Sequence, residues 1–183
     1  MINMSAPPAK SILIFELAGI VFIVLLGSAL HFTFDLSGGN PFVAAFSAVN
    51  ESVWEHLKLS FWPAVIYTVI EHGYLKKKAR SFFPAKAIGI FLMPLAIVSL
   101  FYLYRAFSEE SLVMDILIFI VAVVMGQSLS YKLMTWKETS RIYTNISIIA
   151  LIILSVLFVI FTFYPPQLPI FQDPISGGYG IVK

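Results

Sequence analysis

Four long apolar runs, separated by short polar segments, dominate the chain. A helix needs roughly 20 mostly apolar residues to cross about 30 Å of hydrocarbon, and each run is close to that length. The four runs cover residues 11–30, 87–104, 112–129 and 142–164. Glu16 is the one charge in the first run and Asp115 the one charge in the third, while the other two runs are uncharged. This pattern predicts four membrane-spanning helices.

A fifth span is predicted at residues 53–75, although its ends are strongly polar. The uncharged centre, residues 59–70, is too short to cross a bilayer alone, so the helix must include the flanking ionisable residues. These are Glu55, His56, Lys58, Glu71 and His72. Pro63 lies inside this helix and Pro94 inside the next, and each is expected to remove a backbone hydrogen bond or to kink its helix.

The composition agrees with a membrane protein. Of the 183 residues, 59% are apolar and 12% are charged, whereas soluble domains average about 45–50% apolar and about 25% charged. A soluble domain of this size cannot bury so much apolar surface, and the same numbers exclude disorder. The net charge of +2 argues against nucleic acid as a partner, and the lack of cysteine excludes thiolate chemistry. The predicted fold class is an all-α integral membrane protein in a lipid bilayer, with one helical domain over residues 1–164.

The lysine and arginine positions predict the orientation. With five spans, nine basic residues fall on one side of the membrane, which the positive-inside rule makes cytoplasmic. They are Lys10, Lys76, Lys77, Lys78, Arg80, Lys86, Lys132, Lys137 and Arg141. The opposite side has Arg105 and Lys183, with Lys58 near the outer boundary. The N-terminus is therefore predicted inside and the C-terminus outside.

Two segments on the outer side are predicted not to span. Residues 41–50 follow a helix-initiating Asn40–Pro41 pair, and they form an interfacial helix, a re-entrant helix or an extension of the second span. The tail, residues 165–183, is rich in proline and glycine, which favour extended segments and turns. It is either mobile or a lid over the outer side. A lid would dock through its apolar side chains, Leu168, Ile170, Phe171 and Tyr179.

The most unusual stretch of the chain opens the second span and reads Asn50-Glu-Ser-Val-Trp-Glu-His-Leu-Lys58. Ionisable groups in a span are costly in lipid and usually face a cavity, a partner or a polar interior. His31, at the outer end of the first span, can approach this stretch in space. Two imidazoles and two carboxylates would suit a divalent transition metal such as zinc, iron or manganese. The candidate metal ligands are His31, Glu51, Glu55 and His56, and Lys58 and Asp115 are further candidates for a binding site.

A structural explanation covers part of the same stretch. Ser52-x-x-Glu55 is a capping-box pattern, which satisfies free amide groups at a helix start. Glu55 can also pair with Lys58, three residues further along the helix. These roles do not account for Glu51 or for the two histidines.

Two other acidic residues are expected near the inner surface. Glu16 lies less than two turns into the first span, where Lys10 or His72 could pair with it. Glu71 and His72 lie beside the lysine-rich loop, and we expect them to be solvated or to extend to the interface.

At the Asn50–Lys58 run the sequence resembles a family of small, uncharacterised multi-spanning membrane proteins of Gram-positive bacteria. The resemblance also rests on His31-Phe32, on Asn40-Pro41 and on tail residues 166–180. It implies a multi-pass protein of the bacterial inner membrane. It implies no catalytic residue, because the family has no established activity.

Three functions remain open. The first, which we favour, is binding or transport of a small solute or cation at an outward-facing polar site. Five spans are few for a complete transporter, so a homodimer or a partner membrane protein would then be needed. The second is an intramembrane metal-dependent hydrolase of a lipid or peptide, in which a glutamate activates metal-bound water. The third is a structural or accessory membrane subunit.

Overall fold

The computed structural model describes residues 9–75, 79, 81–136 and 139–181. Over these residues the chain forms six α-helices and a short 3₁₀ turn, with no β-strand. The helices are α1 (Ala9–Leu36), α2 (Pro41–Ala44), α3 (Val53–Leu75), α4 (Phe82–Arg105), α5 (Leu112–Trp136) and α6 (Arg141–Phe163), and the 3₁₀ turn is Pro169–Phe171. The fold is therefore all-α, as predicted.

Part of the charge pattern used for the orientation lies outside the described residues. This applies to Lys76, Lys77, Lys78, Arg80, Lys137 and Lys183. The other four of the nine basic residues predicted inside are described. Lys10, Lys86 and Arg141 lie near the N-terminal ends of α1, α4 and α6, and Lys132 lies near the C-terminal end of α5.

Four helices, α1, α4, α5 and α6, are long and apolar enough to cross a membrane. They correspond to the four predicted apolar runs, and the chain is therefore an α-helical membrane protein. α3 has the predicted bounds, and it is the most enclosed of the long helices, with twelve of its 23 residues buried. α6, in contrast, buries two residues, Phe158 and Thr162. The polar helix α3 is thus enclosed by apolar neighbours, which keeps its charges away from lipid.

The long helices pack with close backbone contacts. α4 packs against α5, α3 and α6, and α1 packs against α3 and α5. α4 and α5 cross at two glycines: a Cβ on Gly89 would lie 2.5 Å from the carbonyl oxygen of Gly126, and one on Gly126 would lie 2.6 Å from that of Gly89. Small residues at such crossings let helix backbones approach each other in membranes.

Pro63 shapes the contact between α1 and α3. Proline has no N–H, so the carbonyl group of Leu59, four residues earlier, has no helical donor. Gly27 of α1 packs against that carbonyl, and a Cβ at Gly27 would overlap the Leu59 oxygen. α3 remains one helix through Pro63, and α4 remains one helix through Pro94. Pro63 therefore leaves the Leu59 carbonyl without a helical hydrogen bond, at the point where α1 and α3 cross.

α1 continues to Leu36, almost two turns beyond the end predicted from its apolar run. Phe34 is buried, and its N–H donates to the Ser47 hydroxyl at 3.0 Å. The helix ends where Gly38 and Gly39 adopt φ values of +70° and +78°, a conformation that favours glycine. His31 therefore lies inside α1, on a rigid element.

The segment after α1 packs against the bundle. Asn40 caps α2 by accepting the Phe42 N–H at 2.9 Å, as the Asn40–Pro41 pattern predicts. α2 is a single turn, and residues 45–52 separate it from α3. It is therefore not an extension of the second span.

Candidate functional site

The ends of α1 and α3 bring three of the predicted ligands together. His31 lies on α1, Glu51 just before α3, and His56 in the first turn of α3. The Nε2 atoms of the two histidines are 3.1 Å apart. Oε2 of Glu51 lies 3.3 Å from Nε2 of His56 and 3.7 Å from Nε2 of His31. These three partly exposed residues are named the His–Glu–His cluster, and their ligand atoms converge on one point.

Ser52 fixes the orientation of the His56 ring. Nδ1 of His56 lies 2.9 Å from the backbone carbonyl oxygen of Ser52, one turn earlier. Because a carbonyl can only accept, Nδ1 carries a proton, and Nε2 is the nitrogen that faces the cluster. Nε2 is a donor to Glu51 in the protonated ring, and it offers a lone pair to a metal in the neutral ring. Histidines that ligate metals are commonly oriented in this way. His56 is therefore preoriented as a ligand.

Glu51 is held through both its carboxylate and its backbone. The imidazoles beside it, first His31 and then His56, hold the pKa of the Glu51 carboxyl well below its usual range, against the opposing effect of partial burial. Its backbone N–H donates to Oδ1 of Asp173 at 3.3 Å. Glu51 is therefore ionised at neutral pH, and it can balance the charge of protonated histidines or of a cation.

The C-terminal tail is docked beside the cluster. Phe171 is buried, with its ring centroid 4.7 Å from that of Trp54 and 5.5 Å from that of Phe161. Of the side chains predicted to dock, Phe171 does so, whereas Leu168 is 54% exposed. The docked alternative for the tail is therefore the one observed over the described residues up to 181.

Asp173 connects the tail to Glu51. Its Oδ1 accepts the N–H groups of Glu51 and Ile175, and its Oδ2 accepts the N–H of Ser176 at 3.0 Å and the Ser176 hydroxyl at 2.5 Å. Burial acts to raise the pKa of Asp173, but the hydrogen bonds, chiefly those from Ser176, outweigh it and leave the pKa lowered. The tail thus positions the backbone of a cluster residue.

Replacing Asp173 by asparagine is expected to weaken the docking of the tail by about 1–3 kcal/mol, because one amide nitrogen would face N–H donors. Hydrogen exchange of residues 165–181 measures the effect, and Asp35→Asn, at an exposed position, is the control.

The lowered pKa of Asp173 means that its stabilisation of the docked tail is complete above about pH 4 and is lost as the pH falls through the folded-state pKa. Wild-type opening free energies should then agree at about pH 7 and about pH 5. Unchanged protection in Asp173→Asn would contradict this role.

A cavity of about 710 Å³ adjoins the cluster, between α1, α3, α4 and α5. Its rim carries the polar side chains of His31, Glu51, His56, Arg105, Glu110, Asp115 and Gln172. Its walls are apolar and include Leu59, Ile97, Phe101, Ile118 and Phe119. Pro169 and Pro174 bring the tail to its edge. The volume lies in the range of small-molecule sites in proteins.

Asp115 lies on the cavity rim but outside the cluster. The Tyr104 hydroxyl donates to Oδ1 of Asp115 at 2.6 Å. On the same rim, Nη2 of Arg105 lies 3.9 Å from Oε2 of Glu110. Among the described residues, Arg105 therefore has one ionic contact, and that contact is long. Asp115 already accepts a short hydrogen bond.

Glu55 and Lys58 form a separate, buried site, named the Lys58 cluster together with Thr162. Nζ of Lys58 lies 2.5 Å from Oε2 of Glu55 and donates to the Ala44 carbonyl and the Thr162 hydroxyl, each at 2.8 Å. The Val49 N–H donates to the same Glu55 oxygen at 3.1 Å. The predicted pairing of Glu55 with Lys58 is confirmed. The structure does not bring Glu55 to the His–Glu–His cluster, since its carboxylate is engaged elsewhere.

The geometry of the helix start explains this separation. The Glu55 N–H donates to Oγ of Ser52 at 3.4 Å, which forms half of the predicted capping box. The Ser52 N–H instead donates to Oδ1 of Asn50 at 2.9 Å. Successive helical residues point about 100° apart, so Glu55 turns into the bundle while His56 turns toward the cavity.

A third group of charges lies at the opposite end of α3 and is named the Lys86 cluster. It consists of Lys86, Glu16, Glu71 and Ser130. Nζ of Lys86 lies 2.7 Å from Oε1 of Glu16 and also contacts Glu71, and Ser130 donates to the same Glu16 oxygen at 3.1 Å. The predictions that Glu16 pairs with Lys10 or His72, and that Glu71 is solvated, are wrong, because these carboxylates are buried around Lys86. The available signal was the position of Lys86, inside an apolar segment of α4.

The fold and the site together define an α-helical membrane protein with a histidine–carboxylate cluster at one end of its bundle. The sequence matches a family of unknown function, DUF6512, over residues 4–181, and the chain belongs to this family. No curated protein and no solved structure matches the chain. The expectation of an uncharacterised family is thereby confirmed, while the motif and the Gram-positive origin remain predictions.

Proposed function

We propose that the protein binds a divalent transition-metal ion at the His–Glu–His cluster, on the outer side of a membrane. The convergence of the three ligand atoms carries this proposal. Metal–ligand bonds of about 2.0–2.2 Å place neighbouring ligand atoms about 3.0–3.6 Å apart. The observed separations of 3.1, 3.3 and 3.7 Å are close to this range. Small side-chain movements would complete the coordination.

Two histidines and one carboxylate form a ligand set used for zinc and for non-haem iron. With three protein ligands, at least one coordination position is open, and the cavity adjoins the cluster. Between the cluster and the Lys86 cluster lie tightly packed apolar side chains, among them Ile23, Phe61 and Met93. This packing favours cation binding at an outward-facing site over transport through the bundle.

A metal-dependent hydrolase is the second candidate, and the cavity favours it. A metal with an open position polarises bound water, and a second carboxylate can accept the proton. Asp115 is a carboxylate on the same rim outside the cluster. The apolar walls are suited to a lipid or an apolar peptide.

The metal site is tested by loading the purified protein with Zn²⁺ and removing unbound ion. The wild type is expected to retain about one equivalent, and His56→Ala and Glu51→Gln are expected to retain less than about a tenth of that, because each loses a ligand. His72→Ala is the matched control, since His72 lies at the other end of α3 and packs against Phe82 and Phe83. Negligible zinc in the wild type, or equal retention in His56→Ala, would contradict the proposal.

Five spans, with the N-terminus inside and the C-terminus outside, are the topology we propose for this site. Support comes from the cavity, where the end of α1, the start of α3, the end of α4 and the start of α5 meet. α3 is 23 residues long, which is about 35 Å of helix. We propose that residues 1–164 form the helical domain and residues 165–183 an outer tail. The resemblance to Gram-positive proteins favours the bacterial inner membrane. We also propose that a homodimer or a partner membrane protein would contact α6, which buries two of its 23 residues.

Single cysteines test this topology cleanly, because the chain has none of its own. Ser37, Ser108 and Ser140 are exposed in the three connections they occupy. A membrane-impermeant maleimide applied to intact cells is expected to label Ser37→Cys and Ser108→Cys but not Ser140→Cys. If α3 did not span, Ser37→Cys and Ser108→Cys would lie on opposite sides, and only one of them would be labelled.

A further inference from the structure

We infer that the cavity holds a single-chain amphiphile, with its anionic head group at the His–Glu–His cluster and its hydrocarbon chain along the apolar walls. The inference rests on the proposed metal site, because the metal supplies most of the attraction for the head group. It names the class of ligand that this site takes.

The cavity has one polar end and one apolar end. Arg105 on the rim and Ile97 in the wall are eight residues apart on α4, which is about 12 Å along a helix. Leu59 lies one turn beyond His56 along α3, and Phe119 lies one turn beyond Asp115 along α5. A ligand that fills this space must therefore be polar at one end and apolar at the other.

The volume indicates a single chain. At about 30 Å³ for each water-sized group, a cavity of about 710 Å³ holds about twenty-four such groups. A methylene group is similar in size, so a chain of about sixteen carbons with a compact head group fills the space. A lipid with two full chains would extend beyond this volume.

The proposed metal ion and Arg105 are the groups that attract an anionic head group, on a rim that also carries the carboxylates of Glu51, Glu110 and Asp115. A divalent ion bound to Glu51 retains a net positive charge at its open positions. Arg105 adds a guanidinium, which suits carboxylate and phosphate oxygens, and its contact with Glu110 is long at 3.9 Å. Asp115 already accepts a hydrogen bond from Tyr104. A carboxylate or phosphate is therefore the best match.

Ser28 offers a variant that blocks the cavity. Ser28 lies one turn before His31 on α1 and lines the cavity, whereas its neighbour Ala29 is also exposed but does not line it. Ser28→Phe therefore places a ring in the cavity, and Ala29→Phe places the same ring on the outer surface. Equal unfolding midpoints of the two variants verify that both are folded.

The experiment measures binding to zinc-loaded protein in nanodiscs by native mass spectrometry. The probes are palmitate, palmitoyl lysophosphatidic acid and, as the neutral reference, monopalmitoylglycerol. Wild type and Ala29→Phe are expected to bind an anionic probe at least about tenfold more tightly than the neutral one, a difference of about 1.4 kcal/mol. Ser28→Phe should lose most of this binding, and Arg105→Gln should weaken the anionic probes without affecting the neutral one. A preference for palmitate or for the lysophosphatidic acid supports the inference and identifies the head group.

Zinc is measured in the same samples, so that the two proposals can fail separately. If Ser28→Phe binds the anionic probes as well as Ala29→Phe does, or if the neutral probe binds equally tightly, the inference is overturned, while one equivalent of zinc leaves the metal site intact. If zinc is absent from the wild type, the proposed function fails, and the inference is overturned with it because no metal then binds the head group. If anionic binding persists undiminished in zinc-free His56→Ala, the head group does not bind the metal and the inference is again overturned.

Discussion

Lys86→Met is expected to lower the free energy of unfolding by about 3–5 kcal/mol or more, the cost of leaving a buried charge unpaired. Lys86 is 1% exposed and contacts two buried carboxylates, those of Glu16 and Glu71. Its removal leaves both acids in the bundle interior without this ammonium, where burial of an uncompensated charge is costly. Reversible unfolding in mixed micelles measures the loss.

Two further variants separate the charge effect from a packing effect. Adding Glu16→Gln and Glu71→Gln to Lys86→Met removes the uncompensated charges, and we expect recovery of most of the lost stability. Lys132→Met is the control on the surface, where Lys132 is exposed, and its change should stay within about 0.5 kcal/mol. A loss below about 1 kcal/mol for Lys86→Met would mean that the ammonium group of Lys86 does not stabilise the two buried carboxylates.

Lys58→Met, at the opposite end of α3, is expected to lower the free energy of unfolding by about 3–5 kcal/mol, because it leaves the buried carboxylate of Glu55 unpaired. Lys58 is fully buried and is the ionic partner of Glu55. It also joins two segments distant in sequence, because it donates to the Ala44 carbonyl and to the Thr162 hydroxyl. The α2 turn and the end of α6 should therefore become more accessible to hydrogen exchange in this variant.

The double variant Glu55→Gln with Lys58→Met tests whether the unpaired charge causes the instability of Lys58→Met. Replacing both members of a buried ion pair by neutral groups of similar size is often nearly neutral, so most of the stability should return. Zinc retention should also persist in the double variant, since neither residue belongs to the His–Glu–His cluster. A double variant as unstable as Lys58→Met alone would show that the pairing does not account for the loss.

The helices themselves were predictable from the sequence, because the length of an apolar run indicates the length of helix that lies in hydrocarbon. The bounds of α3 agree with prediction even though five ionisable residues lie near its ends. The end of α1 was misjudged because His31 interrupts the apolar run, while the backbone continues as a helix to Leu36. Polarity marked the edge of the apolar zone and not the end of the helix.

The arrangement of the charges was predictable only for local pairs. Glu55 and Lys58 lie three residues apart on one helix, so their spacing already predicts contact. Glu16 and Lys86 are separated by seventy residues, and their pairing depends on how α1 and α4 are rotated. The assignment of Glu51 rather than Glu55 to the histidines likewise depends on the rotation of α3, which a hydrophobic pattern without an amphipathic face does not encode. Thr162 carries no charge, and nothing in its sequence context marked it as a partner of Lys58.

For the proposed metal site, the crossing of α1 and α3 at Gly27 and Leu59 has a consequence for ion selectivity. Gly27 lies one turn before His31 and Leu59 one turn after His56, so a backbone-to-backbone contact sets the spacing of the two imidazoles. Side chains can change rotamer to accommodate a larger ion, but two main chains in contact cannot move closer and gain little by separating. The contact therefore holds the backbones that carry His31 and His56 at a fixed spacing, and only small side-chain movements adjust the gap between the rings. Ions that favour short bonds to nitrogen, such as zinc, should be preferred over the larger calcium ion, whose oxygen ligands lie at about 2.3–2.6 Å.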